Sequence, residues 1–167
     1  MAKKKAKKSG ARRSAGKPRK ASVMPASPKP VSTGKGPGPK QIGDALVRNF
    51  NRGKWSIDDK LWSPAIVSVE GLGFAFSGRK SVDAKNADWM SKHTIHGASA
   101  EGPFIGASGF AVKFRMDVEE TATAKRFIMD EVGVYTVKNG KIVREEFMYG
   151  SMTPVTSTVP AAPPAVH

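Results

Sequence analysis

Three glutamates carry the chemistry this sequence offers. Glu131 and Glu145 lie in two runs rich in β-branched and aromatic residues on either side of Asn139-Gly140, and Glu70 closes a short apolar run further back. Two carboxyls on one apolar face repel each other, which pushes one of them toward the neutral acid and separates an acid role from a base role. The plain alternative pairs either one with a basic side chain such as Arg79 or Arg126. Glu70 could take a proton from a carbon beside a carbonyl if an apolar pocket raised its pKa. Its plain alternative is a strand-end carboxylate facing water. His96 falls in a strand and is a further candidate, whereas His93 falls at a helix C-terminus, where a cation is favoured and capping is the simpler role. The two histidines lack a third ligand at a convincing spacing, there is no cysteine, and Gly71-Leu72-Gly73-Phe74 lacks the Lys-Ser/Thr of a phosphate loop. The sequence therefore calls for no metal and no cofactor.

Whether these carboxyls share a face depends on the strands that hold them. Residues 129–149 read as a β-hairpin about Asn139-Gly140, and a slip of one residue would send a strand's side chains to the opposite face. A two-residue loop sets Tyr135 and Val137 with Ile142, Arg144 and Glu146, and it splits the aromatics. A three-residue loop, Lys138-Asn139-Gly140, instead gathers Glu131, Gly133 and Tyr135 with Glu145, Phe147 and Tyr149. This second register is preferred because it makes one aromatic face bearing two acids, with Glu145 opposite Gly133 and diagonal to Glu131.

The remaining elements follow in order. Ile42, Leu46, Val47 and Phe50 make one stripe of an amphipathic helix ending near Gly53, and Ser56 caps a short helix over 56–62 with Asp58 and Asp59 in its first turn. Residues 65–70 read as a strand, 71–78 as a loop or a short edge strand, and 79–93 as the longest helix, with Val82, Asn86, Trp89 and Met90 inward alongside Ala87. A strand over 94–104 breaks at Gly102-Pro103. In 110–118, Phe110, Val112, Phe114, Met116 and Val118 alternate with Lys113, Arg115 and Asp117, the pattern of a half-buried antiparallel strand. Helices on one side of an antiparallel sheet give an α+β architecture.

Charge divides the chain. The net charge of +14 is almost all in residues 1–40, which hold ten Lys, three Arg and no acid. Lys3, Lys4, Lys5, Lys7, Lys8, Arg12, Arg13, Lys17, Arg19 and Lys20, interspersed with proline and small residues, predict a disordered tail. It resembles the Lys/Ala/Pro tails of linker histones. Such a tail can contact nucleic acid without sequence preference through its phosphates, or act only as a solubilising segment. Residues 151–167 read as a loose, proline-marked C-terminal tail. No apolar run approaches a membrane span, and the lack of cysteine fits a reducing cytoplasm, with the nucleoid as the place the basic tail would take the protein.

The stretches 61–71 (Leu-Trp-Ser-Pro-Ala-Ile-Val-Ser-Val-Glu-Gly), 78–82 (Gly-Arg-Lys-Ser-Val), 100–103 (Ala-Glu-Gly-Pro) and 131–144 (Glu-Val-Gly-Val-Tyr-Thr-Val-Lys-Asn-Gly-Lys-Ile-Val-Arg) resemble the SnoaL-like branch of the nuclear-transport-factor-two and ketosteroid-isomerase superfamily. The resemblance covers roughly residues 42–150, and a domain over 41–150 is expected. It implies a cone-shaped α+β barrel, its curved antiparallel sheet wrapped around about three N-terminal helices, with a pocket at the mouth for a small hydrophobic ligand. A homodimer through the sheet's outer face often accompanies it. By position Glu70 falls where the steroid isomerases keep a general-base Asp, and Trp62, His96, Phe114, Met116 and Tyr149 fall where that family lines its pocket. Trp89, Tyr135, Glu145 and Phe147 complete the expected lining, and Glu131 and His96 stand beside Glu70 as catalytic candidates. Leu46 occupies the position of the isomerases' oxyanion Tyr, and no counterpart of their protonated Asp is evident near Val132-Gly133. The function implied is proton transfer on a carbonyl compound, of isomerase or cyclase type; the alternative is a non-catalytic binding module tethered to nucleic acid by its tail.

Overall fold

The computed structural model describes residues 36–56, 58 and 60–156; the basic tail expected over residues 1–35 and the C-terminal tail expected over 157–167 lie outside the described residues. Its elements run α1 (Pro39–Phe50), β1 (Trp62–Val69), β2 (Ala75–Ser77), α2 (Arg79–Lys92), β3 (His93–Ile105), β4 (Gly109–Glu120), β5 (Lys125–Lys138) and β6 (Lys141–Pro154). The strands form one curved, unclosed sheet in the order β2-β1-β6-β5-β4-β3, with two helices against it. The cone is thus open rather than a closed barrel.

Three expectations change. Residues 56–62 hold no third helix among the described residues. Leu61 and Trp62 both donate to the Asp58 carbonyl, at 2.9 and 3.0 Å, in a single turn, and Ile142 N then bonds Leu61 O at 2.8 Å. Sheet pairing therefore takes Trp62 as the first residue of β1. The sheet is also mixed, because β1 lies parallel to β6 (Ser68 beside Glu145) while its other pairs are antiparallel. Finally, β6 continues past Tyr149, where Ile128 faces Thr153 and Phe127 faces Pro154, so 151–154 belong to the sheet and not to the tail.

The core follows from amphipathic patterning. Ile42 and Leu46 of α1 are buried, and Phe110, Val112, Phe114, Met116 and Val118 of β4 all point inward. Pro39 opens α1, where its missing N–H costs nothing, and the Gly38 N–H donates to Gln41 Oε1 at 3.2 Å. Ahead of it Gly36 and Pro37 lie so close to Gly140 that a Cβ there would come within 2.8 Å of Pro37 Cδ.

The hairpin register resolves in an unexpected way. Asn139 and Gly140, at φ 51 and 75, make a two-residue turn between Lys138 and Lys141, the geometry a primed turn needs. A bulge then intervenes, since Val137 faces Ile142 but Thr136 faces Arg144. The extra residue restores the shared face: Tyr135 faces Glu145, Gly133 faces Phe147 and Glu131 faces Tyr149. Glu145 is accordingly opposite Tyr135, not Gly133.

Candidate functional site

A cavity of about 580 Å³ opens between α2, the end of α1 and the concave face of the sheet. Glu70, Trp62, Trp89, Phe114, Met116, Glu131, Tyr135, Glu145, Phe147 and Tyr149 all line it. His96 does not. It sits at an irregularity of β3 between Ile95 and Gly97 and bonds Glu119 through Nε2 at 2.9 Å, on the same side as the outward Lys113, Arg115 and Asp117. The bulge turns its ring out, so its candidacy as a catalytic or pocket residue is withdrawn. His93 is the histidine at the cavity wall, with its ring stacked on Trp89 at 4.4 Å and Nδ1 at 2.8 Å from the Trp89 carbonyl oxygen, in the capping position.

Strand alternation explains the floor. From Ile66, every second residue of β1 points in, which brings Ser68 and then Glu70 to the cavity side, and Ser68 is fully buried. The Lys85 ammonium reaches across from α2 to Glu70 Oε1 at 2.5 Å and to Ser68 Oγ at 3.1 Å. Tyr149 OH donates to the other oxygen, Glu70 Oε2, at 2.5 Å. Glu70 is therefore engaged at both oxygens.

Glu145 is only 3 % exposed and accepts a 2.8 Å bond from the Trp62 indole N–H at Oε2. Burial raises its pKa, and the bonds from Trp62 and Ser68 and the charge of Lys85 partly oppose that. Glu131 differs from both. Among the described residues its carboxyl makes no hydrogen bond or ion pair, and it faces the cavity. Burial first, then the negative charge of Glu70, lifts its pKa from 4.5 to about 7, against the opposing field of Lys85. Neither Arg79 nor Arg126 pairs with these acids in the bonds seen: Arg79 bonds Asp83, and Arg126 makes a two-pronged pair with Asp117 that holds the Asp117 carboxyl below its ordinary range.

Lys85 and Ser68 are the site residues that sequence reasoning missed. The signal was present, because Val82, Lys85, Asn86, Trp89 and His93 recur at helical spacing. That stripe, rather than one containing Ala87, faces in; Ala87 is exposed. A lysine on an inward stripe is the departure that marked the site.

The walls are aromatic. Phe110 stacks on Tyr135 at 4.9 Å, Phe147 meets Tyr135 edge-on at 6.3 Å, and Phe50 packs on Phe114 at 4.7 Å. Gly133 makes this possible, since a Cβ there would lie 2.8 Å from the Tyr135 hydroxyl and 3.0 Å from Phe114 Cε2.

A curved, unclosed sheet over two helices, with a cavity of this size between them, defines the cone-shaped α+β fold class. A family model for the SnoaL-like domain matches residues 39–149, and the chain belongs to that family. It resembles the structure of a candidate SnoaL-like polyketide cyclase from Mesorhizobium loti at 35% identity and TM-score 0.63, covering 66% of this chain and 97% of that one. A second cyclase candidate, from Jannaschia sp. CCS1, shares 15% identity at TM-score 0.56 over 71% of this chain and 91% of that one. A Catenulispora acidiphila protein with a ketosteroid isomerase-like fold, in complex with trimethylamine, shares 11% at TM-score 0.53, covering 68% and 88%. The last two show the fold alone. No curated protein matches the chain.

Proposed function

We propose that this chain holds an apolar carbonyl compound in its cavity and moves a proton at the carbon beside the carbonyl, in isomerase or cyclase fashion, with Glu131 as the group that takes and returns the proton. One observation carries this. Of the three floor carboxyls, Glu131 alone faces the cavity without a protein partner among the described residues, and its pKa of about 7 suits exchange in either direction at neutral pH. Glu70, the residue the family resemblance favours as base, is tied to Lys85 and Tyr149, so its assigned part is to hold those two groups in place. The field of Lys85 already acts on Glu131 and Glu145, and it would stabilise negative charge developing on an enolate oxygen. The cyclase candidates among the similar structures support the reading. The homodimer that the resemblance implies and a cytoplasmic location belong to the same proposal.

The test needs no knowledge of the natural substrate. Ring-bearing ketones are incubated with the protein in D₂O, and proton NMR follows deuterium entering the α-carbon. Acceleration by the wild type and its loss in Glu131→Gln are expected. Exchange in Glu131→Gln at the wild-type rate would overturn the assignment.

A second reading rests on residues 1–40, whose thirteen basic side chains include no acid beside them. It makes the chain a pocket module tethered to nucleic acid, and it is compatible with the first.

A further inference from the structure

We infer that Lys85 is a nucleophile as well as a charge, and that it joins the bound carbonyl compound as an imine; this deepens the reading of the site as a carbonyl-compound pocket and rests on it. Two lysines line the cavity, and their settings differ. Lys54 is exposed to water. Lys85 is not: only 16 % of its side chain is exposed, against 19 % for Glu70, and its Nζ lies 5.1 Å from the Phe147 ring centroid and 5.9 Å from that of Phe76. An amine in such surroundings is poorly hydrated, the setting in which lysine becomes a carbonyl nucleophile. Other ionisable groups of the lining have partners elsewhere. Asp58 accepts the Lys60 amide at 2.8 Å, Asp88 pairs with Lys92 at 2.8 Å, Asp130 pairs with Arg115 at 3.1 Å, and His93 Nδ1 lies 2.8 Å from the Trp89 carbonyl oxygen.

The groups that imine formation needs stand around Nζ. Glu70 Oε1, at 2.5 Å, takes one ammonium proton, while Ser68 Oγ at 3.1 Å keeps hold of a second and Tyr149 OH stays on Glu70 Oε2. Rotation about the Cε–Nζ bond turns the freed lone pair into the cavity. Nζ adds to the carbonyl carbon, and a proton passes from nitrogen to oxygen. Neutral Glu131, which faces Tyr149 across the strands, then protonates the carbinolamine hydroxyl. The C–O bond breaks, water departs, and a protonated imine remains beside the Glu131 carboxylate with no change in total charge. Glu131 next takes the proton of the adjacent carbon, and the C–H electron pair moves toward the imine nitrogen to give an enamine. Reversal and hydrolysis free the lysine. The charge that first drew the carbonyl oxygen toward Lys85 thus ends on the atom bonded to the carbonyl carbon, where it most favours loss of the α-proton.

Trapping tests this on the full chain. The protein is treated with 2-naphthaldehyde and sodium cyanoborohydride, which reduces an imine to a stable amine, and peptide masses locate the naphthylmethyl group. Lys85 is expected to be labelled at least about a hundredfold faster than the exposed Lys54 and Lys92, the gain that a positioned acid and base supply, and excess 2-acetylnaphthalene should protect it. Glu131→Gln should slow labelling of Lys85 by about a hundredfold. The second readout is deuterium exchange into the methyl group of 2-acetylnaphthalene by Lys85→Arg, which keeps a positive charge beside Glu70 and cannot form the imine; the rate should fall about a hundredfold. Exchange in Lys85→Arg at the wild-type rate, or labelling of Lys85 no faster than of Lys54, would overturn the inference while leaving the pocket reading intact. The labelling is read on the wild type, so it decides the matter even where the variant fails to fold. Absence of both labelling and exchange in the wild type would overturn both readings.

Discussion

Tyr149 OH donates to Glu70 Oε2 at 2.5 Å, joining β6 to the residue just past β1 and fixing the carboxylate that holds Lys85. Gly71 permits the approach, because a Cβ there would come within 3.0 Å of the Tyr149 ring. Tyr149 is half exposed, so Tyr149→Phe should cost only about 1 kcal/mol, the worth of one hydrogen bond. Lys85→Met leaves a half-buried carboxylate without its cation and should cost on the order of 3 kcal/mol. Urea unfolding of the two variants checks the order; equal losses would mean that Lys85 does not neutralise Glu70.

The pH dependence of stability follows from Glu131. Its pKa is raised from 4.5 to about 7 in the folded chain, so the native state holds this proton more tightly than the unfolded state does. That contribution is fully present below about pH 4.5 and is lost as the pH rises through about 7, to a total on the order of 3 kcal/mol. Glu145, also raised, acts in the same direction. Wild-type stability should therefore fall between about pH 5 and about pH 8, and Glu131→Gln should flatten much of that fall. An unchanged slope in the variant would place the titration elsewhere.

Much of the fold is legible along the chain because strands announce themselves by alternation. Phe110 to Val118 alternate in sequence, and the inward set is buried. The aromatic face of the hairpin was legible for the same reason, although its register was not: from Tyr135 to Glu131 the pairing adopted from sequence differs from the observed one by two residues, and an even shift keeps Glu145, Phe147 and Tyr149 on that face, whereas beside the turn Ile142 and not Val143 meets Val137. Which residue faces which depends on a bulge beside Val143, and nothing local in Ile142-Val143-Arg144 signals one. The parallel contact of β1 with β6 joins segments some eighty residues apart, so no local pattern encodes it. Lys85 was missed because a charge at helical spacing reads as a solvated face until Glu70 is seen opposite it.

Trp62 offers a test of the buried end of the site. Its indole N–H is a direct donor to Glu145, which is 3 % exposed. Trp62→Phe keeps an aromatic ring and removes the donor, so it should cost about 1–3 kcal/mol and push the Glu145 pKa further up. Carbon-13 NMR of the glutamate carboxyls through a pH titration would show the shift, and an unmoved Glu145 signal would mean that Ser68 and Lys85 carry it alone.

The N-terminal segment separates nucleic-acid binding from the pocket. Residues 1–40 hold thirteen positive charges and no acid, whereas the rest of the chain has fifteen basic and fourteen acidic side chains. Any affinity for DNA or RNA should therefore reside in this segment. The place to cut is set by the fold: Gly36 and Pro37 lie against Gly140, and Gly38 caps α1, so a chain beginning at Gly36 keeps those contacts, whereas one beginning at Lys40 loses them. The Gly36 chain should lose nucleic-acid affinity and keep its melting temperature. If the full chain neutralises about six phosphates, the logarithm of its affinity should fall with the logarithm of salt at about −0.9 per contact on duplex DNA, with little preference for sequence. Gel-shift titrations of both chains at low and moderate salt measure this. Equal binding by the two would place the interface on the folded domain, and binding by neither would leave the segment a solubilising one.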